Sequence, residues 1–568
     1  MLLIILSWIY IIFTSINLGF GFDKLASLKN KNFVVTSILG LFLVTILASF
    51  WAIFGRINIE FSFFLLIINC FIFFQYKESI VSIYKTFFNE LKQFDTHLKL
   101  FLIISFFLIV AQCASIPYVI DNESYYIQTI KWLNEYGFVK GLANLHLFLG
   151  QQSGWHITQS AFNFSFLFKN FNDLSGFCLL LGNIFAIQKL NGYYQSRNKT
   201  YLIVGLLPLV NIFFFQFISA PSPDIAVYIF SFIICFYFLE NYKKTTIETF
   251  NLLVILILFL LYIKNTTLTF VLIPILLLFK NFKFFSKKLS FSFVFSILIL
   301  TLFFTKNIII CGSLIFPSNL TPFFTLDHTI SDTVETLYYK QLKNYYGYFL
   351  SDEQFNAMST FDLFIRWLSL PKLNGLFNKI SVFLIAICPM LIYKFQNKKE
   401  LWMLYAVMTI QLCILFATSP QYRFFMNFVL FFSLFCLACF INRRKIITVF
   451  LLISLIPMLI IVFIPINLNR FSNHKFMLEM STFSFNNSIY PYKNTKFNTP
   501  YEKIKTGNLI FNSPVENDFF WGSGDGDLPC VNKTQIDFFE KYYNIKPQMR
   551  THHLKDGFYT KKVNPNEQ

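Results

Sequence analysis

The sequence predicts an all-α polytopic membrane protein: about fourteen transmembrane helices, interfacial helices in a first large outer loop, and a small polar C-terminal extracytoplasmic region. Three observations predict it. Of 568 residues, 55% are hydrophobic and only 13% are charged, about half the charged share of a soluble globular chain. Apolar runs long enough to cross a bilayer recur along the chain. Lys and Arg gather between those runs, as at Lys24, Lys29 and Lys31, at Lys243 and Lys244, at Lys283, Lys287 and Lys288, and at Arg443, Arg444 and Lys445. This is the charge signature of a cytoplasmic membrane face. It accounts for the net charge of +18 with no nucleic acid as partner, and no nucleic-acid-binding motif interrupts it.

A spanning helix needs about 20 apolar residues. The runs, in order, are 2–20, 33–54, 60–76, 99–118, 173–190, 200–217, 224–240, 249–263, 266–280, 289–310, 376–395, 401–418, 424–441 and 446–465. The first has no basic residue before it, so it reads as a retained helix and not as a signal peptide. The eighth and ninth are short and read either as two spans or as one bent pair. With 24–32 placed inside, alternation puts 77–98, 191–199, 241–248, 281–288, 396–400 and 442–445 inside as well, and each of them is basic. The outside set is 55–59, 119–172, 218–223, 264–265, 311–375, 419–423 and the tail from 466. The chain therefore divides into N-terminal helices (1–98), a membrane core with outer loops 119–172 and 311–375 (99–465), and a tail (466–568).

The outer segments have structure of their own. Residues 124–136 read as an amphipathic helix with Tyr126, Ile130 and Leu133 on one face and Gly137 as its stop. It is too short to span and is expected in the membrane interface. Residues 155–169 read as a second interfacial or re-entrant helix. Residues 328–350 mix Tyr338, Tyr339, Tyr345 and Tyr346 with Lys340 and Lys343, a blend suited to headgroup depth. The tail, richer in Asn, Lys, Pro and Gly, is expected to form a small cap.

Charged residues at the mouths of apolar helices are costly unless they face water, a partner or a substrate. Asp121 and Glu123 follow the fourth run. They read as a general base, or as a pair that orients an acceptor, because a carboxylate can take a proton from a hydroxyl. The alternative is a cap on the helix that follows. Asp224, after Pro223, is either a third site carboxylate or a helix-start acid. Lys264, between two apolar runs, suits a phosphate as a compact point charge, or snorkels to the interface. Arg423 begins a helix on the outer side, where the charge rule predicts no Arg, and so needs an anionic partner. His146 and His156, with Trp155, could contact a sugar or remain plain interfacial residues. Their spacing does not indicate a metal. A divalent cation is compatible with the carboxylates, but ligand spacing does not point to one, and the cofactor stays open. The acidic turn Asp525-Gly526-Asp527 lacks the ligand set of a calcium loop. Most of the ten Cys lie in apolar runs. Cys311 and Cys530 do not, and they fall on one predicted side, either as a disulfide or as two free thiols.

At Asp121-x-Glu123 and the amphipathic helix after it, the chain resembles the GT-C membrane glycosyltransferases. Pro223-Asp224, Lys264 and Pro420-x-x-Arg423-Phe424 are similar to later landmarks of that superfamily. More closely, Trp132-Leu133-Asn134-Glu135-Tyr136-Gly137, Gly141-Leu142-Ala143-Asn144-Leu145-His146, Leu528-Pro529-Cys530 and Asp556-Gly557-Phe558 resemble a group of bacterial membrane proteins with GT-C-like architecture. The likeness spans most of 99–568. It implies a sugar carried on a polyprenyl phosphate, an acceptor in the cell envelope, and transfer at the outer face of the bacterial plasma membrane. By the same resemblance, Asp121 or Glu123 would be the base, Asp224 would shape the site, and Lys264 and Arg423 would hold lipid phosphate. Two other readings compete: a transporter or flippase for envelope precursors, and a non-catalytic assembly component that docks through its tail. Transporters usually keep charge at mid-bilayer and show repeated halves, whereas here polar residues collect at one face and no repeat shows.

Overall fold

The computed structural model describes residues 1–169, 174–285, 289–317, 325–396, 398–467, 471 and 481–562. Lys287, Lys288 and the first residue of the 173–190 run lie outside them. The chain is mostly helical, and ten helices among the described residues are long and apolar enough to cross a membrane. These are Leu2–Leu25, Phe33–Phe54, Thr96–Cys113, Leu174–Ser196, Pro223–Asn241, Ser290–Cys311, Lys372–Phe395, Lys399–Thr418, Tyr422–Phe440 and Arg444–Phe463.

The other four predicted runs depart from straight spans. Helix Ile59–Gln75 turns through 88° into Lys77–Gln93, and the two qualify only as a bent pair. Lys199–Phe214, Ile247–Ile263 and Asn265–Lys280 are shorter apolar helices. Each interruption has a local cause. Leu207–Val210 tightens to a 3-10 turn around Pro208, which has no amide to donate. Lys264 is extended (φ −155°, ψ 123°) and leads into the 3-10 turn Asn265–Val271. Thus 249–263 and 266–280 are two short helices hinged at a lysine.

Packing is dense and aromatic. Phe33 stacks on Phe87 at 4.0 Å and Phe42 on Phe259 at 4.6 Å. The first two helices touch backbone to backbone, since a Cβ on Gly19 would stand 1.9 Å from the Thr36 oxygen and one on Gly40 1.8 Å from the Ser15 oxygen. Small residues permit that approach between apolar helices. Helix Phe33–Phe54 is built into the core: Thr45 shares a 2.6 Å hydrogen bond with Thr158, and the Tyr262 hydroxyl donates to Ser49 at 2.8 Å. Helix Phe33–Phe54 is therefore packed against both the 119–172 segment and the end of helix Ile247–Ile263.

Several of the basic segments meet at one end of the bundle. Lys29 pairs with Glu248 at 2.9 Å and Arg444 with Asp95 at 2.7 Å. Arg197 donates to the Asn442 carbonyl at 3.3 Å, and Asn198 to Glu240 at 3.0 Å. The other segments meet at the opposite end. There the Ile57 amide donates to Leu133, Ser153 Oγ to Ile263, Trp367 Nε1 to Pro420, and the amino group of Met1 to Asn487. The tail folds at this second end as two antiparallel hairpins, Tyr501–Thr506 with Leu509–Pro514 and Ile545–Met549 with Phe558–Lys562, around helix Lys533–Tyr543. Gln548 joins the hairpins by donating to the Thr506 carbonyl at 3.0 Å.

Candidate functional site

The chain after Tyr118 enters a wide π-helical turn, Asn122–Tyr126, before regular helix Ile127–Glu135. Such turns are rare and gather at functional sites. This one divides its side chains between two surroundings. Asp121, Ser124, Tyr125 and Tyr126 line a cavity of about 1430 Å³. Asn122 and Glu123 face the tail instead.

Asp121 stands at the N-cap of this turn, but its side chain makes no capping hydrogen bond. Its carboxylate accepts from Arg423 Nη1 and, at 3.4 Å, from the Tyr126 hydroxyl. Arg423, 302 positions away, also lines the cavity. Beside this pair, Lys264 donates to Asp224 and lies over the Phe424 ring at 4.4 Å. The two pairs differ in access. Asp121 keeps 16% of its side-chain surface exposed and Asp224 only 2%, so Asp121 is the carboxylate a bound molecule can reach. Asp224 is sealed behind Lys264 at the start of Pro223–Asn241, where Ser222 caps the helix. Burial lowers the pKa of the Lys264 amine, and Asp224 opposes that shift.

Glu123 is a structural anchor in this fold. It is buried, and its carboxylate accepts from the Thr495 hydroxyl, the Lys496 amide at 3.0 Å and Asn122 at 3.1 Å. Its backbone carbonyl accepts from the amides of Ser523 and Gly524. Burial raises its pKa above the ordinary glutamate value, against those three donors. Trp155 and His146 also lie away from the cavity. Trp155 is fully buried and donates to Ser175 at 3.3 Å. His146 accepts from the Phe148 amide and meets the Trp521 carbonyl, and burial lowers its pKa to about 4. His156 packs behind the cavity wall, 4.7 Å from the Tyr126 ring, and burial together with Lys306 lowers its pKa to about 3. Both imidazoles are therefore neutral at physiological pH. Cys311 and Cys530 are free thiols, bonded to the carbonyls of Asn307 and Ser523.

Three features of the cavity were not read from the sequence. Lys306, inside helix Ser290–Cys311, lines it and donates to the Gln152 carbonyl. A lone charge in an apolar run was the available signal. Gln152 also lines it, with neither side-chain amide atom hydrogen-bonded. The tail supplies a wall through Asp518, Phe519, Phe520 and Trp521. Trp521 packs edge-on to Phe148 at 4.9 Å, and Phe148 stacks on Tyr125 at 5.2 Å. No periodicity in the sequence couples residues so far apart.

The stretches around Trp132 and Gly141 form the seam that holds the tail. Gly141 (φ +65°) passes so near Phe558 that a Cβ would meet its oxygen at 2.1 Å, and a Cβ on Gly557 (φ +90°) would meet the Lys140 oxygen at 1.9 Å. The Phe558 amide donates to Lys140 at 2.9 Å, and the Phe558 ring packs edge-on to Trp132 at 5.7 Å. Only glycine fits such approaches at positive φ.

No curated protein and no solved structure matches the chain. One family model, described as a domain of unknown function (DUF8201), matches residues 1–430. The match begins at Met1, ends within Tyr422–Phe440 and takes in Asp121, Asp224, Lys264, Lys306 and Arg423. The protein thus belongs to the DUF8201 family.

Proposed function

We propose that the chain is a membrane glycosyltransferase of the GT-C kind. In this reading it moves a sugar from a polyprenyl-phosphate donor to a cell-envelope acceptor at the outer face of the bacterial plasma membrane. One observation carries the reading. An accessible carboxylate, Asp121, shares a cavity with Lys264, Lys306 and Arg423, and the same cavity continues along apolar side chains such as Leu268, Ile414, Pro457 and Ile460. A ligand with an anionic head and a hydrocarbon tail suits that pairing of surfaces.

The chemistry follows from the parts. An acceptor hydroxyl beside Asp121 gives its proton to the carboxylate as its oxygen bonds to the anomeric carbon. The bond from that carbon to the phosphate oxygen breaks, and the phosphate departs with the electron pair. Cations fixed in a water-poor cavity stabilise that departing charge without reorganising. Arg423 and Tyr126 hold Asp121 in place, and Asp224 holds Lys264.

The test is Asp121→Asn in the full chain. Losing a general base costs about 10²–10⁴ in rate, so transfer should fall by at least about a hundredfold while membrane insertion stays unchanged. Full transfer by this variant would remove Asp121 as base. Accumulation of an unmodified lipid-linked sugar on the far side of vesicles, without covalent transfer, would replace the reading with transport.

A further inference from the structure

Lys264 and Arg423 are each matched by a carboxylate, so the cavity's two acid–base pairs sum to no net charge. Lys306 is different. It is 3% exposed, and among the described residues no carboxylate lies within 4.0 Å of its ammonium group. Its surroundings are the Gln152 carbonyl and the rings of Tyr262 and Phe303, at 5.4 and 5.0 Å. One acceptor and two aromatic faces leave two of its three N–H donors unused. A buried cation in that state is costly and calls for an anion.

A second observation points the same way. Gln152 is 2% exposed and lines the cavity, yet neither its Nε2 nor its Oε1 has a partner. Thr266 and Thr269, also on the cavity wall, have hydroxyls in the same condition. Buried polar groups are normally satisfied, and these four orphans share one cavity with the unmatched lysine. Its apolar extension along Pro457 and Ile460 defines the rest of the ligand.

We infer that Lys306 and Gln152 form an anion site that takes the singly charged head of an amphipathic molecule, a phosphodiester or a carboxylate. One negative charge is enough to match the single ammonium group of Lys306. The site stands on the cavity and its charge. If the chain transfers sugars as proposed above, the site identifies the residue that anchors the donor's phosphate, a role the resemblance gave to Lys264 and Arg423.

The experiment is equilibrium binding to the full chain in a non-ionic detergent, which needs no turnover and so stands or falls apart from sugar transfer. The probes are dioleoylphosphatidylglycerol, oleate and neutral dioleoylglycerol. At least one anionic probe should bind tenfold or more tighter than the neutral one. Lys306→Met should erase that preference, and Lys306→Arg should keep it. Gln152→Glu, nearly isosteric, places a carboxylate beside Lys306 and should also erase it, which covers the case of a poorly folded methionine variant. A preference for the phosphodiester alone assigns the head as phosphate, and equal binding of oleate assigns any single anion. Equal affinity for all three probes, or an unchanged preference in both Lys306→Met and Gln152→Glu, overturns the site.

Discussion

Asp121 and Glu123 stand two residues apart, and their surroundings give them separate work. Glu123 receives three donors in a buried junction. Glu123→Ala orphans those donors at about 1–3 kcal/mol each, so the tail should loosen, seen as faster hydrogen exchange at the Lys496 amide. Glu123→Gln keeps an acceptor for two of them and should leave exchange near wild type. Fast exchange in both variants would mean that charge, and not hydrogen bonding, holds the tail. Acid acts on this region with opposing signs. The raised pKa of Glu123 gives a contribution fully present below about 4.5 and lost as pH rises through its folded value. His146 and His156, lowered to about 4 and 3, contribute above their ordinary value of 6.5 and lose that contribution as pH falls toward those folded values. Melting temperature should therefore fall from pH 7 to 5, and a His146→Gln, His156→Gln double variant should flatten the decline. The sequence marks these residues as unusual by position, but their roles depend on which of two surfaces each one meets. Residues two apart on a helical turn point to different faces, and no pattern of residue types announces which face meets the cavity and which the tail.

The break at Lys264 was legible as two short apolar runs flanking a charge. The 88° turn after Gln75 was not, since an apolar run of ordinary length followed by a basic one reads equally as a span and a loop. Burial of the tail side of helix Ile127–Glu135 had no sequence signal either. Amphipathicity predicts an interface, and the partner turned out to include the tail, where Lys131 pairs with Asp525 at 3.1 Å. The end of that helix depends on Gly137 (φ +77°), where a Cβ would lie 2.2 Å from the Gly55 oxygen and 2.5 Å from the Ala52 oxygen. Both neighbours are backbone and cannot swing aside. Gly137→Ala should cost about 1–3 kcal/mol in backbone strain, with the collision added, and should lower the melting temperature by several degrees. Gly55→Ala is the matched control. Gly55 is extended, and a Cβ there meets only the Trp51 indole at 3.7 Å. Equal losses in the two variants would show that Gly137 is no more sensitive to a methyl than Gly55, and the close-approach argument would fail.

Across the whole molecule, the sequence anticipated a bundle of apolar helices, and it assumed more full spans than the ten the described residues contain. The excess lies in one bent pair and three shorter apolar helices. Geometry fixes two ends, and the sidedness of those ends in a membrane is a separate prediction. Met1 is bonded to Asn487 beside the tail, and the helix Leu2–Leu25 that follows is about 36 Å long at 1.5 Å per residue. Lys29, just past its far end, therefore lies a bilayer's thickness away from Ile489. Both side chains are open to reagent, Lys29 at 77% and Ile489 at 57%. In a background with the ten native cysteines replaced, Ile489→Cys should react with an impermeant maleimide added outside intact cells. Lys29→Cys should react only after the membrane is opened, because Lys29 sits among the Lys and Arg that the charge rule retains in the cytoplasm. The reverse pattern would keep the bundle and invert it, placing the cavity inside and ending the proposal of transfer at the outer face. Labelling of both from one side would mean that helix Leu2–Leu25 does not cross the membrane.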